Sequence, residues 1–213
     1  MPTTELRESS LDIETSGLSV EECYRLLTGV VVPRPIAWVT SLSETGVVNL
    51  APFSHFTFVA AKPPMLAISV GRKAGKMKDT AANILATREF VVNIASFDLV
   101  NEVHSSAIEY PSDVSEVDIL KLETRPSLVV KPPGIARCPV QMECVLHQCI
   151  EIGPRKTQLI IGEVLRFRVR DGLMRDGKID TMELQPLARL GGPNYATLSD
   201  VVTMAAIDRT AKA

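Results

Sequence analysis

Short runs of apolar, often β-branched residues recur along the chain, and prolines, glycines and polar turn residues separate them. The clearest runs are IAWVTSL (36–42), MLAISV (65–70), EFVVNI (89–94), PVQMECVLHQCIEI (139–152) and KTQLIIGEVLRFRVR (156–170). Such lengths and compositions are typical of strands. With shorter extended segments at 47–50 and 53–58, the pattern predicts a mainly β fold, an antiparallel barrel with a few peripheral helices. A doubly wound α/β fold is disfavoured because no G-x-G-x-x-G sequence follows any strand.

Local signals refine this prediction. Pro33-Arg34-Pro35 forces extended backbone, and Ser43–Gly46 predicts a hairpin turn. Gly162 indicates a bulge or a close-packing point within the longest strand. In the same strand Leu165, Phe167 and Val169 alternate with arginines, which predicts one buried and one exposed face.

Three helices are predicted from their capping residues. Ser19 and Glu22 form a capping box for a helix over 20–27 that stops at Gly29. In the next helix, DTAANILATR, either Asp79 or Thr80 can cap the start. Ser96 or Asp98 caps a third helix that runs to about Ile108.

The chain is predicted to form one domain over residues 19–198, because no internal repeat or second composition class is present. Residues 1–18 are expected to be a flexible N-terminal arm and 199–213 a C-terminal tail. The proline-containing stretch 109–137 is expected to be a long irregular excursion around the core.

Composition excludes several functional classes. The net charge of −2 argues against a nucleic-acid-coating protein and against a polybasic membrane binder. No apolar run reaches the 18 residues of a membrane-spanning helix. The polar, acidic start resembles neither a signal nor a transit peptide, so the expected location is the cytoplasm. The four cysteines lack C-x-x-C spacing and are expected to pack in the interior.

A basic stretch, GRKAGKMKDT (71–80), leads into the predicted second helix. Lysines, an arginine and a hydroxyl at a helix start can together bind an anion. A solvated basic loop is the alternative, and spacing alone favours it. The stretch is not a Walker loop.

A second candidate is NLAPFSHF (49–56). Pro52 fixes the backbone, while Ser54 and the main-chain groups remain available to a flat aromatic ligand. An ordinary sheet edge is the alternative, and it is favoured if the segment is taken alone. His55 follows this segment, but no histidine has the spacing of a metal site. No G-x-S-x-G sequence supports acyl hydrolysis.

In order along the chain, these blocks resemble the flavin reductase-like, FMN-binding split-barrel family, in its flavoredoxin-like branch. The blocks are PRPIAWVTS (33–41), NLAPFSHF (49–56), KPP (62–64), KDTAANI (78–84), EFVVNI (89–94), VQMEC (140–144) and PLARLGG with a following Tyr (186–195). The resemblance covers about residues 20–197, and the ordered set is specific where no single block would be.

The resemblance implies a homodimeric split barrel that holds FMN without a covalent bond. Arg34, Thr40 and Ser41 would line the flavin side, and Leu50, Ala51, Pro52, Phe53 and Ser54 would follow the isoalloxazine edge and ribityl chain. Around the phosphate would gather Ser69, Arg72, Lys78, Asp79 and Thr80. Because Asp79 would repel a phosphate, its expected role is to cap the helix. Arg189, Gly191 and Tyr195 would support the dimer or close the pocket.

The implied activity is that of an NAD(P)H-dependent flavin reductase, in which hydride passes from nicotinamide to flavin. No general base is required. Thr40, Ser41 and Ser54 are candidate donors to the ring, and His55 could steer the nicotinamide or substrate. The alternatives are a flavoredoxin-type electron-transfer protein reduced by a protein partner and a non-redox binding protein on the same fold. A mono-oxygenase or redox protein could be the partner.

Overall fold

A computed structural model describes residues 10–72 and 74–205 of the chain. The ends of the predicted N-terminal arm and C-terminal tail lie outside the described residues, as does Lys73 of the basic stretch. None of the described helices is long and apolar enough to cross a membrane.

The described residues form mostly strands. In chain order these are β1 (Arg34–Pro35), β2 (Ala37–Leu42), β3 (Val48–Phe53), β4 (Phe56–Ala61), β5 (Pro64–Val70), β6 (Glu89–Ile94), β7 (Thr124–Arg125), β8 (Gly134–Ile135), β9 (Val140–Ile152), β10 (Thr157–Val169), β11 (Met174–Arg175), β12 (Lys178–Ile179), β13 (Ala188–Arg189) and β14 (Tyr195–Ala196).

Helices occupy the connections between strands. The α-helices are α1 (Val20–Val30), α2 (Asp79–Thr87), α3 (Val100–Ser105), α4 (Glu116–Ile119) and α5 (Thr181–Leu184). Two 3₁₀ turns lie at Thr15–Gly17 and Phe97–Leu99.

Seven strands make one antiparallel sheet in the order β3-β2-β6-β9-β10-β5-β4. Its two edge strands, β3 and β4, are consecutive in the chain and are joined only by Ser54 and His55. The sheet therefore curls until its edges meet at this connection, and the Ser69 N–H donates to the His55 carbonyl there over 2.9 Å. This arrangement confirms the predicted split barrel.

Two cores flank strand β2, which is buried on both faces. Ala37 and Val39 pack inside the barrel with Phe90 of β6 and Ile84 of helix α2. Trp38 faces a second core beneath α3 and α4, and its indole N–H donates to Ser106 Oγ over 2.8 Å. Because both faces of β2 are covered, Ala37, Trp38 and Val39 are apolar without alternation.

Gly162 in β10 behaves as predicted. The pairing with β9 shifts register between Ile161 and Gly162, and a Cβ at Gly162 would overlap the ring of Phe90. The glycine thus lets the Phe90 ring pack directly against the β10 backbone.

The predicted burial of the end of β10 is wrong. Leu165 is 48% and Phe167 54% exposed. Alternation predicts two faces but does not say whether another layer covers the apolar one. His147 in β9 is exposed as well, although it lies in a strand whose sequence alternates.

Helix α1 and the helix after β6 have other ends than the sequence predicts. The capping box of Ser19 and Glu22 is present, but α1 continues through Gly29 to Val30. The third predicted helix is shorter than expected: it begins as the turn Phe97–Leu99 without a side-chain cap from Ser96 and ends at Ser105.

Candidate functional site

Three cavities meet at residues 52–54, the end of β3 and the start of the connection to β4. Pro52 lines all three, while Phe53 and Ser54 each line two. Edge strands of a curled sheet leave a concavity where they part, and small-molecule sites favour such concavities. Residues 52–54, here called the shared segment, are therefore the centre of the candidate site.

The first cavity, the helix cavity, has a volume of about 350 Å³ and lies between β3 and the start of α2. Its wall carries both signs of charge, from Lys76, Lys78, Asp79, Glu109 and Glu116. Asn49, Ala51, Pro52 and Phe53 supply the β3 side of the wall.

The second cavity, the basic cavity, has a volume of about 460 Å³. Its basic lining groups are His55, Arg72, Lys78 and Arg155, and the described lining residues include no carboxylate. Ser54, Ser69 and Thr157 add hydroxyl groups. A cavity with this lining favours an anion.

The third cavity, the arginine cavity, has a volume of about 300 Å³. Arg34 and Arg189 are its charged lining residues, and Tyr24, Ile36, Leu190 and Tyr195 supply apolar walls. Arg189 donates to the Tyr195 hydroxyl over 2.5 Å and lies 4.6 Å from the centre of its ring.

The N-cap of helix α2 lies before both residues that were predicted to cap it. Lys78 is the N-cap, and among the described residues no side chain caps the helix. The prediction that Asp79 or Thr80 caps α2 is therefore wrong: Asp79 is the first helical residue and Thr80 the second. A helix start without a side-chain cap leaves main-chain N–H groups for a ligand.

Thr80 is held in place by a buried polar network. Its side chain is 1% exposed, and Thr80 Oγ1 accepts a hydrogen bond from Asn49 Nδ2 over 2.8 Å. The same amide lies 3.4 Å from Ser41 Oγ, which also accepts from Asn83 Nδ2 over 3.2 Å. Because Thr80 Oγ1 accepts from Asn49, its own proton is available to a partner in the helix cavity.

Ser41 and Thr40 do not reach the cavities. Both side chains are fully buried. Thr40 Oγ1 donates to the Pro133 carbonyl over 2.5 Å, and Ser41 belongs to the network behind Thr80. The sequence could place them on the right strand, but both faces of β2 are covered, so neither side chain reaches a cavity. Leu50, whose side chain is also buried, contributes only main chain to this region.

Arg34 ties three segments together. Its guanidinium donates to the Thr28 and Val31 carbonyls at the end of α1 over 2.8 and 2.7 Å, and to the Leu190 carbonyl over 2.9 Å. Arg34 Nε also donates to Ser54 Oγ over 3.3 Å. As with Thr80, this leaves the Ser54 proton available to a ligand.

His55 lies at the rim of the basic cavity and packs edge-on against Tyr24, with ring centres 6.4 Å apart. Partial burial and, second, the positive charge of Arg34 lower the pKa of His55. The ring is therefore uncharged at neutral pH.

Arg72 joins the basic stretch to the β9–β10 hairpin. It donates to the Lys156 carbonyl over 3.0 Å, to the Gly75 carbonyl over 3.2 Å and to Glu151 over 3.1 Å. This docking brings Arg155 into the basic cavity. Sequence reasoning missed Arg155, because pairing of residues more than eighty positions apart has no local signal.

Glu116 is a second residue that the sequence analysis missed. It is 7% exposed, lines the helix cavity and accepts a hydrogen bond from the Leu50 N–H over 2.8 Å. Burial is the main cause that raises the pKa of this carboxyl group. Strand β3 pairs with β2 along one edge only. On its other edge, Glu116 accepts the Leu50 N–H that would otherwise lack a strand partner.

The structure brings most of the predicted site residues to the cavity walls. These are Arg34, Ala51, Pro52, Phe53, Ser54, His55, Ser69, Arg72, Lys78, Asp79 and Thr80. Arg189 and Tyr195 line the arginine cavity with Gly192, whereas Gly191 is not among its lining residues.

Comparison with known proteins gives one family. The family model described as "Flavin reductase like domain" matches residues 29–185. An uncharacterised protein of Halalkalibacterium halodurans, BH2278, is 41% identical over 199 residues, 91% of this chain and 95% of its own length.

Two solved structures are similar over nearly their whole length. Nitrilotriacetate monooxygenase component B from Bacillus cereus is 39% identical with a TM-score of 0.89, over 92% of this chain and 99% of that one. The 2-nitrobenzoate 2-nitroreductase NbaA of Pseudomonas fluorescens is 31% identical with a TM-score of 0.85, over 95% and 100%.

Proposed function

The chain belongs to the flavin reductase-like family, and on that premise we propose that it is an FMN-binding oxidoreductase that transfers hydride from NAD(P)H to flavin. The family predicted from the ordered sequence blocks is thereby confirmed, whereas the nicotinamide co-substrate and the FMN contacts are proposals. The single observation that carries them is the meeting of a carboxylate-free cationic cavity with the shared segment.

The described residues fit the phosphate of FMN. Lys78 and Arg155 line the basic cavity, and Arg72 is positioned beside them by the β9–β10 hairpin. The start of α2 adds main-chain donors and the positive end of the helix dipole. A phosphate dianion binds best where charge and N–H donors are combined.

The shared segment would carry the tricyclic ring. Pro52 stiffens the backbone there, and the Ser54 hydroxyl, fixed by Arg34 Nε, would donate to a polar edge of the ring. Bound FMN would supply the hydride-accepting chemistry, while the protein supplies binding, orientation and electrostatic stabilisation. The neutral imidazole of His55 lies at the rim, where it could orient the nicotinamide.

The relatives favour a reductase. Component B is part of a mono-oxygenase and NbaA is a nitroreductase by name. By analogy, a mono-oxygenase that consumes reduced flavin is the proposed partner of this chain. The four free cysteines are in keeping with the cytoplasmic location predicted from the sequence.

A homodimer is also proposed. Leu26, Leu27, Val30, Val31 and Val32, at the end of α1 and just beyond it, are all exposed. Apolar residues grouped in this way are typical of an interface. Analytical ultracentrifugation should give twice the mass of the chain, and Val30→Asp should shift the equilibrium toward the monomer.

Turnover with pyridine nucleotide tests the proposal. Purified protein is mixed with NADH or NADPH, with and without FMN, and the loss of absorbance at 340 nm is followed anaerobically and in air. Flavin-dependent oxidation of either nucleotide is expected. Reduction of bound FMN by a redox protein but by neither nucleotide would instead assign the flavoredoxin-type role. If the purified protein shows no bound-flavin absorbance and FMN does not raise its melting temperature, the non-redox alternative remains.

A further inference from the structure

Arg34 is a buried cation without a counter-ion. Arg34 is 6% exposed and lines the arginine cavity. Among the described residues, no carboxylate lies within ion-pair distance of its guanidinium. Its partners are three main-chain carbonyls and the Ser54 hydroxyl. Buried charges in proteins are generally paired, so an anion in the adjoining cavity would compensate this one.

Arg189 adds a second positive charge to the same cavity. One of its Nη groups donates to Tyr195 Oη and the other to the Gly192 carbonyl over 2.7 Å. A guanidinium has five N–H donors, so three remain for a ligand. Tyr195 Oη also lies 3.1 Å from His104 Nδ1. These contacts hold the Arg189 side chain in place at the wall of the cavity.

The remaining walls favour a flat, partly apolar molecule. Tyr24, Ile36, Pro52 and Leu190 line the cavity. The volume of about 300 Å³ lies at the lower end of the range for small-molecule sites. A dinucleotide would not be enclosed, whereas a one-ring acid would be.

We propose that the arginine cavity binds a small planar organic acid, with its carboxylate directed at Arg189 and the uncompensated charge of Arg34 and its ring between the apolar walls. Arginine matches a carboxylate because its parallel N–H groups can bind both oxygens. The placement of this acid beside the flavin rests on the proposed function, because the shared segment separates the two ligands. Binding of the acid to the arginine cavity does not depend on the proposed function.

Calorimetric titration tests this site with benzoate as the probe and benzamide as its uncharged counterpart. Both are titrated into the flavin-free and the FMN-loaded protein, and FMN binding is measured separately by fluorescence quenching. Benzoate is expected to bind both forms, with benzamide at least about tenfold weaker because the charge-assisted bonds are lost. A failure of FMN to bind would overturn the proposed function alone, since benzoate binding is measured without it.

Variants assign the binding to the cavity. Arg189→Met should weaken benzoate by about tenfold or more and leave FMN affinity unchanged. Arg189→Lys keeps the charge and should recover part of the affinity, which separates loss of charge from misfolding. Arg125→Met, at an exposed arginine of β7 away from the cavities, is the matched control.

Three results would overturn the proposal. Equal binding of benzoate and benzamide would remove the role of charge, and an unchanged benzoate affinity in Arg189→Met would place the acid elsewhere. Displacement of benzoate by FMN or by NADH would assign the cavity to the flavin ring or to the nicotinamide nucleotide.

Discussion

The side-chain amide of Asn49 donates to the hydroxyl oxygen of Thr80 over 2.8 Å and so joins β3 to the first turn of α2. On the other side of Pro52, Arg34 Nε donates to Ser54 Oγ over 3.3 Å. In both pairs a buried donor occupies the oxygen, which leaves the hydroxyl proton for a ligand. The candidate site thus has two hydroxyl groups held in fixed positions, Thr80 on one side of Pro52 and Ser54 on the other.

Replacement of Thr80 by Val tests the first of these donors. Thr80→Val removes the hydroxyl and leaves the Asn49 amide without one acceptor, so FMN should bind about tenfold more weakly and the folded state should lose about 1–3 kcal/mol. Equilibrium titration of FMN fluorescence and urea unfolding measure the two effects. Thr87→Val, at the far end of the same helix, is the control and should leave FMN affinity unchanged. Equal FMN affinity in Thr80→Val and the wild type would exclude Thr80 from the site.

Lys78→Ala tests the phosphate position. Loss of the lysine charge from the basic cavity should weaken FMN by about 1.5–3 kcal/mol. Riboflavin, which lacks the phosphate, should bind the variant and the wild type equally. The comparison of FMN with riboflavin therefore separates loss of a phosphate contact from a disturbance of the whole site. Lys62→Ala, an exposed lysine at the other end of β4, serves as the control. If FMN and riboflavin weaken together, Lys78 does not contact the phosphate.

The chain order of elements was predictable because it depends on local patterns. β-branched runs predicted the strands, and the Ser19–Glu22 capping box predicted the start of α1. Helix ends were less predictable: Gly29 does not adopt the positive φ of a glycine that ends a helix, and α1 continues to Val30.

Site residues were predictable only where a local motif carries them. The basic stretch and the NLAPFSHF block supplied Lys78 and the shared segment. Arg155 and Glu116 enter through tertiary pairing, of the β9–β10 hairpin with Arg72 and of α4 with the outer edge of β3. Thr40 was placed at the flavin because strand membership alone does not say whether a strand is covered on both faces.

Glu116 should act as the acceptor for the edge of β3. Glu116→Gln keeps an oxygen for the Leu50 N–H and should retain the fold, whereas Glu116→Leu leaves that N–H unpaired and should cost about 1–3 kcal/mol. The raised pKa means that the contribution of Glu116 to stability falls as the pH rises from about 4.5 through its folded pKa, which adds a negative slope to the dependence of stability on pH. In Glu116→Gln this slope should disappear. Urea midpoints at several pH values measure both effects, and a slope unchanged in the glutamine variant would contradict the assignment.

Gly162→Ala should destabilise the barrel. The added methyl group would overlap the Phe90 ring, and overpacking of this kind costs about 1–3 kcal/mol. Gly29→Ala is a matched contrast, because that glycine lies in α1 with open space around it, and helix propensity should stabilise the variant by up to about 1 kcal/mol. Thermal unfolding of both variants provides the comparison, and a Gly162→Ala protein as stable as the wild type would show that the Phe90 ring can move aside.

His55 should report the occupancy of the basic cavity. Burial and the charge of Arg34 lower its pKa in the ligand-free protein. The unfolded chain therefore takes up a proton near pH 6.5 while folded His55 does not, so this histidine destabilises the fold as the pH falls from about 6.5 through its folded pKa. NMR titration of the His55 ring, assigned with His55→Gln, should give a midpoint below 6.5 in the absence of ligand. FMN should raise the midpoint because its phosphate favours the charged ring, whereas riboflavin should not. A midpoint that FMN and riboflavin shift equally would place the phosphate outside the basic cavity.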